Sequence, residues 1–230
     1  MISFLTISIR LLTIIMVFTS LIATNYAHAQ SKSLSGNLQF NYAFVALKNN
    51  GDSPQLVSVK SNHILKSGDK LKFYLEALSE SYFYLFHIGP SGVLTKIFPE
   101  SHQNPKLPIN RKVVIPTGNR WLELDSQTGE EKFYLIASRI RQERLENLYQ
   151  HYMTLKKSES AHVSIKAILD EINNIRRNNL STSAERPVRI GGSFRGPGSK
   201  PSDPGIDFSD LAYKVSRKTA YCRVFTIDHN

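Results

Sequence analysis

Short apolar-rich runs recur between turn signals through residues 40–137, two of them alternating with a period of two, and the period changes to about 3.6 beyond residue 140. The first regime predicts strands. Phe40 to Leu47 is rich in aromatic and aliphatic residues and runs into the turn signal Asn49-Asn50-Gly51-Asp52. Gln55 to Lys60 sends Leu56 and Ser58 one way, Val57 and Val59 the other. Leu71 to Leu78 places Leu71, Phe73, Leu75 and Ala77 on one face, with Lys72, Tyr74 and Glu76 opposite, as in a half-buried strand. Ser81 to Ile88 is nearly all apolar and is expected to be a central strand covered on both faces. Gly89-Pro90-Ser91-Gly92 then predicts a tight reversal, with Val93 to Phe98 as the returning strand. Arg111 to Ile115 and Trp121 to Leu124 follow as short strands. Ser126 to Glu130 is expected to be a loop, and Lys132 to Ala137 a buried strand.

In the second regime, Leu145, Leu148, Tyr149 and Tyr152 form one apolar stripe, and Ile165, Ile168, Leu169, Ile172 and Ile175 form another. Both predict amphipathic helices, separated near Lys156-Lys157-Ser158. Residues 187–205 contain nine Gly or Pro among nineteen positions, so neither helix nor central strand can persist there. Thr219 to Ile227 again alternates, with Tyr221, Arg223, Phe225 and Ile227 on one face. A lone strand cannot satisfy its own backbone, so this one is expected to return to the main sheet.

The fold expected is therefore mainly β: an antiparallel β-sandwich of about eight strands, a C-terminal two-helix extension and a final strand returning to the sheet. The divisions are 39–140 for the sandwich, 141–178 for the helices, 179–206 for a basic Gly/Pro-rich linker or loop, and 207–230 for the C-terminal segment.

The first 29 residues follow a different logic. Arg10 is their only charge, the run Leu11 to Ile22 is largely apolar, and Ala27-His28-Ala29 closes the segment. This is the layout of a secretory signal, with cleavage expected before Gln30. A membrane anchor is the alternative, but the run is well short of the roughly 20 apolar residues a spanning helix needs. Residues 30–38 read as a flexible lead-in. The chain is expected to be exported, periplasmic or extracellular, with no transmembrane span once the signal is removed.

Composition narrows this further. The 230 residues carry a formal charge of +10 and a single cysteine, Cys222. The charge favours anionic partners. One cysteine excludes a disulfide scaffold.

One set of motifs resembles a known family. Ser67-Gly68-Asp69 precedes a strand; YFYLFHIGPSGVLTKIFPE follows at 82–100, VVIPTG at 113–118, and a Thr128-Gly129-Glu130 loop runs into YLIASR at 134–139. In order and spacing, residues of about 66–139 resemble the bacterial "domain of unknown function 4384" family. Glu100 departs from it, since that family tends to carry Asn after Phe-Pro. The resemblance implies an exported accessory β domain and brings no functional residues with it.

Chemistry is sparse. His63, His87, His102, His151, His162 and His229 show no close metal-ligand spacing. His151 and His162 could meet across a helical hairpin with Glu159, although solvated helix ends are the simpler expectation. His87 shares the inward face of Phe83 and Leu85 and is expected to be a core histidine bonded to backbone. Cys222 is expected to be a buried structural thiol. No G-x-S-x-G or phosphate-loop frame occurs, and the carboxylates Glu76, Asp125, Glu130 and Glu131 cannot be paired from sequence. No catalytic residue, cofactor or metal is assigned.

Basic residues remain. Arg139 to Arg177 holds eight basic residues against five acidic. The candidate contact surface is Arg141, Arg144, Lys156, Lys157, Lys166, Arg176, Arg177, Arg189 and Arg195. The expected function is a non-enzymatic exported binding or accessory module of the bacterial cell envelope, meeting an envelope protein partner or an anionic envelope surface. Nucleic acid is not an expected partner, because export removes the chain from it and the aromatics lie in strand cores. The alternatives are an envelope hydrolase with a non-motif active site, or a subunit of a secretion or surface assembly.

Overall fold

The structure is a computed structural model, and it describes residues 36–49, 54–101, 103–158, 160–179, 185–188, 208 and 211–230. Asn37–Asn230 form a unit of their own. The expected signal segment, most of the expected lead-in and most of the Gly/Pro-rich stretch lie outside the described residues. Thirteen strands are present among those residues: β1 (Leu38–Lys48), β2 (Gln55–Ser58), β3 (His63–Leu65), β4 (Lys70–Ala77), β5 (Ser81–Ile88), β6 (Leu94–Phe98), β7 (Lys106–Leu107), β8 (Lys112–Ile115), β9 (Leu122–Glu123), β10 (Gly129–Ser138), β11 (Arg186–Val188), β12 (Ala212–Arg217) and β13 (Ala220–His229). Two helices accompany them, α1 (Glu143–Leu155) and α2 (Ala161–Asn178).

The strands form two sheets. One has the order β11-β12-β1-β4-β8, with β2 on β1 and β9 on β4; the other has the order β3-β13-β10-β5-β6, with β7 on β5. Their inner faces meet in a core centred on Phe44, Phe73, Phe133 and Phe225. Phe44 stacks on Phe73 at 3.7 Å and meets Phe225 edge-on at 5.0 Å. The residues alternate as the pattern requires: Phe40, Tyr42, Phe44 and Ala46 of β1 point inward, Ala43 and Val45 outward.

The hairpin at residues 81–98 forms as expected. Gly92 N–H donates to Gly89 C=O at 2.9 Å, and Gly92 takes a φ of 73°. The final strand returns and pairs antiparallel with β10 along ten residues.

The sequence expectations need four corrections. The sandwich is not wholly antiparallel: β3 crosses from one sheet to the other and arrives parallel to β13. The strands β3, β7, β11 and β12 bring the number well above eight; the two or three residues of β3, β7 and β11 carry too little alternation to register. Residues 126–130 are not all loop, since β10 begins at Gly129. β4 is buried on both faces rather than one, since Lys72 and Tyr74 are almost fully covered. Phe208 supplies part of that cover, stacking on Tyr74 at 5.2 Å, and Lys72 Nζ lies 4.5 Å over the Trp121 ring while donating to Gly118 C=O at 3.0 Å.

The helical pair is also more than an extension. Leu145, Tyr149 and Tyr152 of α1 and Ile168, Ile172 and Ile175 of α2 pack with Tyr84, Phe86, Tyr134 and Ile136 on the outer face of the second sheet. Burying each such side chain contributes roughly 1.5–3 kcal/mol before the entropy of ordering is subtracted. The pair is thus a third layer on the sandwich.

Candidate functional site

At one end of the sandwich the inward rows of three neighbouring strands stop being apolar. β5 runs Phe83, Leu85, then His87; β10 runs Leu135, Phe133, then Glu131; β13 runs Phe225, Ile227, then His229. Register brings these ends together, with Phe133 opposite His87 and Glu131 opposite Ile227. Glu131 Oε2 lies 2.5 Å from His87 Nε2, and Oε1 lies 3.4 Å from His229 Nδ1. Glu131 and His229 are both buried. His87 is half-buried, stacks on Phe133 at 4.5 Å and takes a carboxylate as its partner, which corrects the expectation of a backbone bond.

The turn between β3 and β4 completes the cluster. Ser67 Oγ is 3.0 Å from His229 Nε2, and Ser67 is exposed. Asp69 sets this turn: its carboxylate accepts from Asn49 N–H and Lys66 N–H, each at 2.9 Å. Gly89 makes room for the carboxylate, since a Cβ there would stand 2.9 Å from Glu131 Oε2. Ser67, His229 and Glu131 therefore stand in the order nucleophile, base and acid, but the buried His229 Nδ1 makes no hydrogen bond to the carboxylate. The backbone donors beside the serine are already engaged, however. Gly68 N–H donates to Leu124 C=O at 2.8 Å, Asp69 N–H to Lys66 C=O at 3.0 Å, and Ser67 N–H to Asn230 C=O at 3.4 Å. Sequence reading missed this cluster. The signal was available, as a polar residue ending the inward row of three apolar strands, but only strand register brings those ends to one place.

The other carboxylates considered from sequence are dispersed. Glu76 accepts from the Asn41 amide and pairs with Lys112, Glu130 pairs with Lys132, and Asp125 accepts from Gln127 N–H. His102 and Glu159 lie outside the described residues. His151 and His162 are exposed helix residues, and no group of three His, Cys, Asp or Glu among the described residues is placed to hold a metal ion. His63 is half-buried, and burial together with Lys48 and Lys60 holds its pKa below the ordinary value. Cys222 is half-buried against the helical layer, and burial pushes its thiol up to about 12.

The basic residues divide. Arg141 grips Glu146 through Nε and Nη2, Arg144 pairs with Glu171 at 3.1 Å, and Lys166 pairs with Asp170 at 2.7 Å. Lys156, Lys157 and Arg177 are exposed, and Arg176 lines a cleft of about 260 Å³. Arg189 and Arg195 lie outside the described residues. A larger cleft, about 560 Å³, opens between the start of α1 and the end of α2; its lining includes Arg141, Arg144, Glu171, Asn174 and Asn178. No described helix is long and apolar enough to cross a membrane.

No curated protein and no solved structure matches this chain. Residues 64–141, which carry Ser67, Asp69, His87 and Glu131 but not His229, match the family described as a domain of unknown function (DUF4384).

Proposed function

We propose that the chain is an exported, non-enzymatic binding module of the bacterial cell envelope, which meets a protein partner or an anionic surface through its helical hairpin. One observation carries this reading. The hairpin turns its main apolar stripe toward the sheet, yet Met153 and Val163 remain 45% and 59% exposed at its bend, beside exposed Lys156 and Lys157. Arg141 just precedes α1, and Arg144 and Lys166 lie further along the helices, each against a carboxylate. Apolar side chains flanked by cations fit a surface with negative headgroups or an acidic face. The test is binding of the mature chain to vesicles with and without anionic lipid. Affinity is expected to fall steeply with salt and with the double change Lys156→Glu, Lys157→Glu. Binding indifferent to both rejects the reading. Export is checked separately by mass spectrometry, which should find Gln30 at the N-terminus of the exported protein.

A second reading, an envelope hydrolase, is favoured by the order Ser67, His229, Glu131. The engaged N–H groups of Gly68 and Asp69 weigh against it, since they leave no oxyanion site next to the hydroxyl. A fluorophosphonate probe separates the two: covalent labelling of Ser67, lost in His229→Ala, would establish the hydrolase.

A further inference from the structure

The cleft of about 560 Å³ lies at the end of the helical hairpin away from its bend, between the start of α1 and the end of α2. Its size falls in the range of small-molecule sites. Its charges cancel. Arg141 and Arg144 are matched in the described lining by Glu143 and Glu171. Arg144 pairs with Glu171 at 3.1 Å, and Arg141 is held by Glu146 at 2.7 Å. The cleft therefore has no surplus charge with which to favour an ion of either sign.

Neutral amides supply the open hydrogen-bonding capacity. Asn174 and Asn178 stand one turn apart on α2, and Asn178 Nδ2 donates to Asn174 Oδ1 at 3.1 Å. That bond leaves Asn174 Nδ2 as a donor and Asn178 Oδ1 as an acceptor, neither with a partner among the described residues. On the α1 side, Gln142 Nε2 donates to Ser138 Oγ at 2.9 Å and to Ile140 C=O at 3.0 Å. Its Oε1 is left as an acceptor without a partner among the described residues.

Uncharged donors and acceptors thus border one space. A sugar hydroxyl both donates and accepts, and two neighbouring hydroxyls match the two ends of a carboxamide. Ile140, 52% exposed in the same wall, gives the C–H face of a sugar ring an apolar surface. A peptide fits less well. Among the described lining residues only Ile140, Ile175 and Ala220 are apolar, and Ile175 and Ala220 are themselves buried, so an apolar side chain finds no pocket.

We infer that this cleft is a binding site for a neutral saccharide, held through Gln142, Asn174 and Asn178 with one ring face on Ile140. The site lies at the opposite end of the hairpin from Lys156 and Lys157, so it does not rest on the surface contact proposed above.

The test is titration of the full chain with N,N′-diacetylchitobiose, cellobiose and maltose in turn, following the backbone and side-chain amide resonances around Gln142, Asn174 and Asn178. Saturable shifts with at least one of the three, insensitive to salt, are the expected result. Affinity should weaken about tenfold or more when Asn174→Ala and Asn178→Ala are combined, and should be unchanged by Lys156→Glu with Lys157→Glu. Both asparagines are exposed and alanine favours helix, so their variant should fold; unchanged amide spectra outside the cleft check this. No saturable shift with any of the three sugars, equal shifts with glycerol, saturable shifts with inorganic phosphate in their place, or affinity retained in the asparagine variant would overturn the inference.

Discussion

The hydroxyl of Tyr84 donates to the Glu146 carboxylate at 2.6 Å, joining strand β5 to the first turn of α1. The same oxygen accepts from Gln142 N–H at 3.1 Å. One phenol therefore satisfies a backbone donor at the helix start and fixes the acidic residue that Arg141 grips. Burial works against charge on Glu146, but the hydrogen bonds from Arg141 and Tyr84 hold its carboxyl below the ordinary value. Tyr84→Phe should cost about 1–3 kcal/mol, since it leaves the Gln142 N–H without its partner and the half-buried Glu146 carboxylate with Arg141 alone. Urea unfolding measures this, and a change within error would show that the helical layer docks by apolar packing alone.

Glu131 makes a second prediction. Its carboxylate lies between His87 and His229 with little access to water. Glu131→Gln should destabilise by roughly 1–3 kcal/mol. Gly89→Ala should act in the same direction, by displacing Glu131 Oε2 from a contact of 2.9 Å. If the two losses are measured singly and together, they should be less than additive, because both act on the same carboxylate. Full additivity would separate Gly89 from this cluster.

Phe208 is the third case. It is almost fully buried and stacks on Tyr74, on the face of β4 turned away from the main core. Phe208→Ala should cost about 3–5 kcal/mol and should raise hydrogen exchange in β4 and β8. A loss below about 1 kcal/mol would mean that this face closes by other contacts.

His63 gives the pH dependence its sign. Its pKa lies below the ordinary 6.5 in the folded chain, chiefly through burial. The unfolded chain therefore takes up the proton first as pH falls. Stability from this group is complete above about pH 6.5 and declines below it, until the folded chain is protonated as well. His63→Gln should lose less stability than the parent between about pH 7.5 and 5.5. Equal losses, by denaturant midpoint at each pH, would dismiss His63 as the cause.

Cys222 supplies a chemical readout of the same packing. With the thiol pushed up to about 12, almost none is thiolate near pH 8. Alkylation by iodoacetamide should be slow in the folded chain and fast in denaturant. Rapid labelling without denaturant would mean that the helical layer opens freely.

Local pattern carried much of this structure. Phe83, Leu85, Tyr84 and Phe86 announce a strand covered on both sides, because both parities are apolar, and the spacing of Tyr149, Tyr152, Ile168 and Ile172 announces two helices with one stripe each. Lys72 and Tyr74 misled because their cover comes from Trp121 and Phe208, far along the chain, and alternation records only which side of a strand is apolar. The basic residues were legible as a composition, but not as pairs. Arg144 meets Glu171 only because two helices fold back on each other.

By itself the sequence determined the periods, the turns at Gly89–Gly92, the family match over residues 64–141 and the inventory of charges, since each depends on neighbours a few positions apart. Tertiary structure alone decided that His87, Glu131, His229 and Ser67 share one end of the sandwich, and that Gln142, Asn174 and Asn178 border one cleft. Those groupings arise from strand register and from the packing of layers, which bring together residues separated by as many as 162 positions.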